Sequence, residues 1–219
     1  MLGAFGETNM IVNRLVTLRV AILSTLLLSS SYAFAQQSPT SSTTRVRGTV
    51  ESLEGETLHV KSREGADVTL HLPASAGVAG VAKMSLADVK VGSYIGVTSV
   101  PDSGGSQKAV EVHVFPEAMR GTGDGTRPWD LKPNSSMTNG AVDERTVTGN
   151  DGHTLTVKYK GGERKVLVTP DTQVVTYVPA TRSDIKAGTP VFAIATKKPD
   201  GTLDVARLSV GRDGVSPPM

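Results

Sequence analysis

Thr57-Leu58-His59-Val60-Lys61 and Thr154-Leu155-Thr156-Val157-Lys158 are one five-residue phrase written twice, 97 positions apart. In both, Leu and Val alternate with polar residues, the period-2 pattern of a strand with one apolar and one wet face. The phrase does not recur alone. Ser85-Leu86-Ala87-Asp88-Val89-Lys90-Val91-Gly92 returns as Thr181-Arg182-Ser183-Asp184-Ile185-Lys186-Ala187-Gly188. Val110-Glu111-Val112-His113-Val114 returns as Ala206-Arg207-Leu208-Ser209-Val210. Three matched blocks in the same order mark the duplication of a β-rich unit.

Working outward from the first phrase, Arg45 to Leu53 alternates in the same way, and Val68, Leu70 and Leu72 resume the alternation after Glu64-Gly65. These segments predict hairpin strands. Ser85 to Asp88 predicts a short helical turn capped by Ser85. Strands are then expected over Tyr94 to Val100 and Val110 to Phe115. The second copy predicts strands near Glu144 to Gly149, Thr154 to Tyr159, Arg164 to Thr169, Thr172 to Val178, Pro190 to Thr196 and Val205 to Val210. The expected fold is all-β: two tandem OB-like small β-barrels, each with a short helix, joined by a Gly/Pro-rich linker. Residues 45–115 would form the first barrel, 116–140 the linker, 141–213 the second barrel and 214–219 a C-terminal tail. A two-sheet sandwich is the competing architecture. At about 70 residues per copy a single core is marginal, so the two are expected to pack together.

The N-terminus predicts export. Arg14 and Arg19 precede an apolar run from Val20 to Leu28, and Ala33-Phe34-Ala35 supplies a small-residue cleavage site, giving a signal peptide over residues 1–35. Met10 stands at the more usual distance from that run for a start site. A polar leader, residues 36–44, follows. The apolar run is shorter than the ~20 residues a spanning helix needs, so no membrane span is expected in the mature chain, and the location is periplasmic or secreted.

Composition removes several function classes. The 219 residues include no Cys, which excludes disulfides, thiolate metal sites and Cys nucleophiles. Beyond residue 35 the balance is 21 basic to 20 acidic residues with six aromatics, too neutral and too sparse for a barrel that stacks nucleic-acid bases along a basic groove. There is no G-x-S-x-G, no H-E-x-x-H and no phosphate-binding loop. A non-enzymatic binding or structural module without cofactor is expected. Its partner would be an envelope protein, a polysaccharide or a small anionic solute.

The most concentrated chemistry lies in the linker. Arg120, Arg127, Trp129 and Asp130 are the candidate ligand-binding residues: guanidinium groups take up carboxylate or phosphate, and an indole offers a stacking face. The same residues could instead form a structural clasp, with Trp129 buried between barrels and Arg–Asp pairs satisfying the loop. His59, His71 and His113 fall on wet strand faces and are candidate metal ligands, the basis of an alternative reading as a periplasmic metal-handling accessory. A hairpin with a three-residue turn would set His59 opposite His71.

Residues 47–65 (RGTVESLEGETLHVKSREG), 85–97 (SLADVKVGSYIGV), 111–123 (EVHVFPEAMRGTG), 127–139 (RPWDLKPNSSMTN), 174–179 (VVTYVP) and 195–219 (ATKKPDGTLDVARLSVGRDGVSPPM) resemble a group of uncharacterised exported bacterial proteins. The repeats look like the OB-like domains of unknown function found in periplasmic proteins. The resemblance covers essentially the whole mature chain and implies no catalytic residues. Some members are called metal ABC transporter permeases, a name at odds with a single short apolar segment.

Overall fold

The computed structural model describes residues 42–103, 106–148 and 152–218. The expected signal peptide and residues 36–41 of the leader lie outside the described residues. Within them the chain is all β, with no α-helix. The strands are β1 (Thr43–Glu54), β2 (Thr57–Ser62), β3 (Asp67–His71), β4 (Gly77–Lys83), β5 (Tyr94–Pro101), β6 (Gln107–Val114) and β7 (Gly125–Pro128). They continue as β8 (Ser136–Thr148), β9 (Gly152–Tyr159), β10 (Gly162–Val168), β11 (Gln173–Pro179), β12 (Pro190–Lys197) and β13 (Leu203–Gly211). The short helix expected in each copy is a single 3-10 turn, Leu86–Asp88 and Arg182–Asp184. Ser85 caps the first through its side chain, and Thr181 and Asp184 form a capping box at the second.

All thirteen strands belong to one hydrogen-bonded sheet, but its pairing closes on itself twice. One ring runs β1–β2–β3–β13–β12 and back to β1; the other runs β8–β9–β10–β6–β5 and back to β8. Neither ring is made by one repeat. Each takes three strands from one copy and two from the other. β4 and β11 carry the chain between rings: they pair antiparallel with each other, while β4 runs parallel to β13 and β11 parallel to β6. The two copies are therefore interleaved, where one closed barrel per repeat was expected.

The cores follow the rings and not the repeats. Val50, Leu58, Val60, Leu70 and Leu72 of the first copy pack with Val191, Val205, Leu208 and Val210 of the second. The reciprocal cluster joins Ile95, Val97 and Val112 to Val142, Leu155, Val157 and Val166. Leu58 and Leu155, the Leu of the duplicated phrase, are both fully enclosed, each burial stabilising by about 1.5–3 kcal/mol. Cross-repeat hydrogen bonds add to this: Arg182 donates to the carbonyls of Gly55, Leu72 and Pro73 (2.5, 3.1 and 3.3 Å).

β1 and β8 are long because each serves two neighbours. Residues 43–49 of β1 pair with β12 and residues 48–54 with β2, with a bulge between Val50 and Ser52. β8 has the same irregularity between Val142 and Glu144. A bulge bends a strand and raises its twist, which lets one strand turn the corner of a small ring. Thr43 and Thr44, assigned to the leader from sequence, are already in β1, and β8 starts within the expected linker.

Candidate functional site

The linker is built in two parts. Its first part is tied to the ring containing β8. β7 pairs with β8 from Gly125↔Asn139 to Pro128↔Ser136, Asn139 Nδ2 donates to Thr122 O (2.9 Å), and Lys160 N donates to Asp124 Oδ1 (2.6 Å). Burial, followed by the Asp124 charge, pushes the Tyr94 hydroxyl beneath this segment up to about 12. The second part, Trp129 to Ser135, is a tight loop. Trp129 N donates to Ser135 O (2.8 Å), Ser135 Oγ accepts from Lys132 N (3.2 Å), and Asn134 takes a left-handed φ of 58°.

That loop sets Trp129 and Asp130 against β1 of the other ring. The Arg45 guanidinium lies over the Trp129 ring at 3.9 Å from its centroid, and Arg127 lies over the same ring at 5.6 Å. Asp130 accepts from the buried Arg47 (2.9 Å) and sits 3.7 Å from Arg45. Burial acts to raise the Asp130 carboxyl, but the Arg47 hydrogen bond and the charges of Arg47 and Arg45 outweigh it and hold it below its usual range. Arg127 donates to Gly123 O (2.7 Å), and no carboxylate among the described residues pairs with it. Burial, then the charge of Arg45, pulls its guanidinium below the usual value. Trp129 Nε1 is enclosed without a hydrogen-bond partner.

The cluster therefore has donors in excess. Three guanidinium groups and an indole N–H share one carboxylate and a few backbone carbonyls. Of the four linker residues singled out from sequence, Arg127, Trp129 and Asp130 come together. Arg120 does not join them: it holds Glu117 (2.5 and 2.7 Å) and Gly92 O (2.9 Å) and lies over Tyr94. Sequence reasoning missed Arg45 and Arg47, which reach the linker because of the interleaved strand order. Their only signal was two Arg at alternate positions on one face of β1.

Beside the cluster is a cleft of about 810 Å³ between the β1–β2 hairpin, β6, the linker and the C-terminal tail. Arg47, Lys61, Arg63 and Lys132 supply its positive charge, Glu51 and Glu111 its negative charge. The tail is fixed against this cleft, with Arg47 Nε donating to Pro218 O and Gln173 Nε2 to Ser216 O (3.4 Å each). Glu111 and His113 are fully buried on β6, 3.5 Å apart, with Glu111 Oε1 and both His113 nitrogens lacking hydrogen-bond partners. The His113 ring packs 4.1 Å from Tyr177, whose hydroxyl is pushed up to about 12 by burial.

The three candidate metal ligands are dispersed. The hairpin turn is centred one residue earlier than expected, on Glu64 instead of Gly65, so His59 stands opposite Thr69 and His71 opposite Thr57. His71 is engaged by Asp204 (2.5 Å) and Glu56 (3.4 Å), and His113 is enclosed in the other ring. Among the described residues no group of three His, Asp or Glu side chains is placed to hold a metal ion. None of their helices is long and apolar enough to cross a membrane.

No family model, curated protein or solved structure matches the chain.

Proposed function

We propose that the protein is an exported, non-enzymatic binding module of two OB-like barrels, which takes an anionic group at Trp129 with Arg45 and Arg127 as its donors. The observation that carries this reading is the unneutralised Arg127 sharing the Trp129 indole with Arg45, whose charge acts on it. Like charges beside one ring repel, and a carboxylate or phosphate bound near them would offset the repulsion while filling the donor excess. Five-stranded closure around a packed core supports the OB-like reading, since such barrels carry function in loops laid over a rigid strand surface. Asp130 acts as the resident counter-ion, so the loop is a clasp and a binding surface together.

Trp129 is the only Trp in the chain, so its fluorescence reports on this site alone. Glucuronate and phosphate are expected to change that emission and raise the melting temperature, with both responses lost in Arg127→Ala. A wild type that responds to neither anion, together with a Trp129→Ala variant that melts much earlier, would leave the loop a structural clasp and overturn the binding reading.

A further inference from the structure

We infer that the ligand is an acidic oligosaccharide, one carboxylate held at the Arg45–Arg127–Trp129 cluster and the next sugars lying in the cleft that begins at Arg47. This rests on the anion-site reading above and extends it. The cluster and the cleft are continuous through two residue sets. Arg47 pairs with Asp130 in the cluster and lines the cleft, and Leu131 and Lys132 carry the chain directly from Trp129-Asp130 into the cleft wall.

Size, charge and surface type narrow the ligand. A cleft of about 810 Å³ is far larger than a single oxyanion needs and lies in the range of sites for drug-sized molecules, roughly 300–1,000 Å³. Its rim carries three exposed cations, Lys61, Arg63 and Lys132, against one exposed carboxylate, Glu51. Lys132 is exposed and pairs with no carboxylate among the described residues, and the Lys61 and Arg63 partners, Asp67 and Glu64, are exposed surface pairs that an incoming carboxylate can displace. Glu111 contributes little to that rim because it is fully enclosed, with Thr98 donating to it. Between the charges, the half-buried Val110, Leu131 and Pro190 give apolar surface against which the C–H faces of sugar rings can lie, while Ser62, Thr49 and Gln173 offer hydroxyl and amide groups to sugar hydroxyls. Alternating carboxylates and apolar ring faces are the chemistry of a uronic-acid oligomer.

The test is calorimetry and Trp129 fluorescence with galacturonate, tetragalacturonate, a neutral tetrasaccharide and tetra-aspartate, using wild type and Lys132→Ala. Linking the second contact to the first should make tetragalacturonate bind at least about tenfold tighter than galacturonate. Lys132→Ala should remove most of that gain, the neutral sugar should not compete, and chromatography should recover the oligomer uncut. Equal affinity for galacturonate and its tetramer would overturn this inference and leave the small-anion site standing. Equal affinity for tetra-aspartate would show that charge alone is read, and would also overturn it. Binding of none of the acids would remove the anion-site reading itself.

Discussion

Asp130 neutralises Arg47 and Arg45 at once, and its removal has two separable effects. Arg47 is only 9% exposed, so Asp130→Ala strands a buried charge; because Asp130 itself is 45% exposed, the cost should be about 1–2 kcal/mol, below that of a fully buried pair. The same change vacates the acceptor position at the cluster, so glucuronate should bind more tightly to the variant and restore part of its melting temperature. A variant that loses stability and binds no better would show that Asp130 and the ligand do not compete. His71 gives a second residue-scale expectation. The Asp204 hydrogen bond, aided by Glu56 and opposed by partial burial, raises its pKa above the ordinary 6.5. A raised folded-state pKa means that stability from this contact is complete below about pH 6.5 and is lost as pH rises through the folded value. His71 and Asp204 are also the one ladder pair that joins β3 to β13. Thermal melts should therefore show His71→Gln lowering stability clearly at pH 6 and little at pH 9.

The strands whose apolar face repeats every second residue, β2, β3, β9 and β10, could be read directly from the amino acids. β4 could not. Gly77-Val78-Ala79-Gly80-Val81-Ala82 has no alternation, because β4 is paired on both sides and packed closely: a Cβ on Gly80 would stand 2.8 Å from Val178 Cγ2. Its counterpart β11 was legible as Thr172 to Val178, so the repeat carried the missing signal. β7 was hidden in the Gly/Pro composition of the linker, and its pairing depends on β8 starting at Ser136. The bends in β1 and β8 yield a test at this scale. Gly48 and Gly140 occupy equivalent places, each pressed on a backbone carbonyl, Lys61 O and Lys158 O. A methyl group at either must displace a paired strand. Gly48→Ala and Gly140→Ala should each destabilise by about 1–3 kcal/mol or more, measured by urea denaturation, and by similar amounts. An unaffected variant would mean that the corner is not packed as described.

At the scale of the whole molecule, the duplication was plain in the sequence and the interleaving was not. Because the copies share their apolar pattern, a ring closed by β1–β3 with β12–β13 makes much the same contacts as one closed with β5–β6. Leu58 meets a Val-rich wall in either case. What separates the two is the path of β4 and β11, and the residues before and after them carry no signal that sequence reasoning can weigh. The consequence reaches the candidate site, since exchange places Arg45 and Arg47 of the first copy beside the linker that introduces the second. The absence of Cys makes the arrangement directly testable by a designed cross-link. Thr43 and Thr196 are partners across β1 and β12, and Val100 holds in the first copy the place that Thr196 holds in the second. The decisive measurement is oxidative cross-linking of two double variants, read on non-reducing gels and by free-thiol count. In monomers the interleaved fold predicts a disulfide in Thr43→Cys/Thr196→Cys and none in Thr43→Cys/Val100→Cys; the reverse pattern would contradict it and restore one closed barrel per repeat.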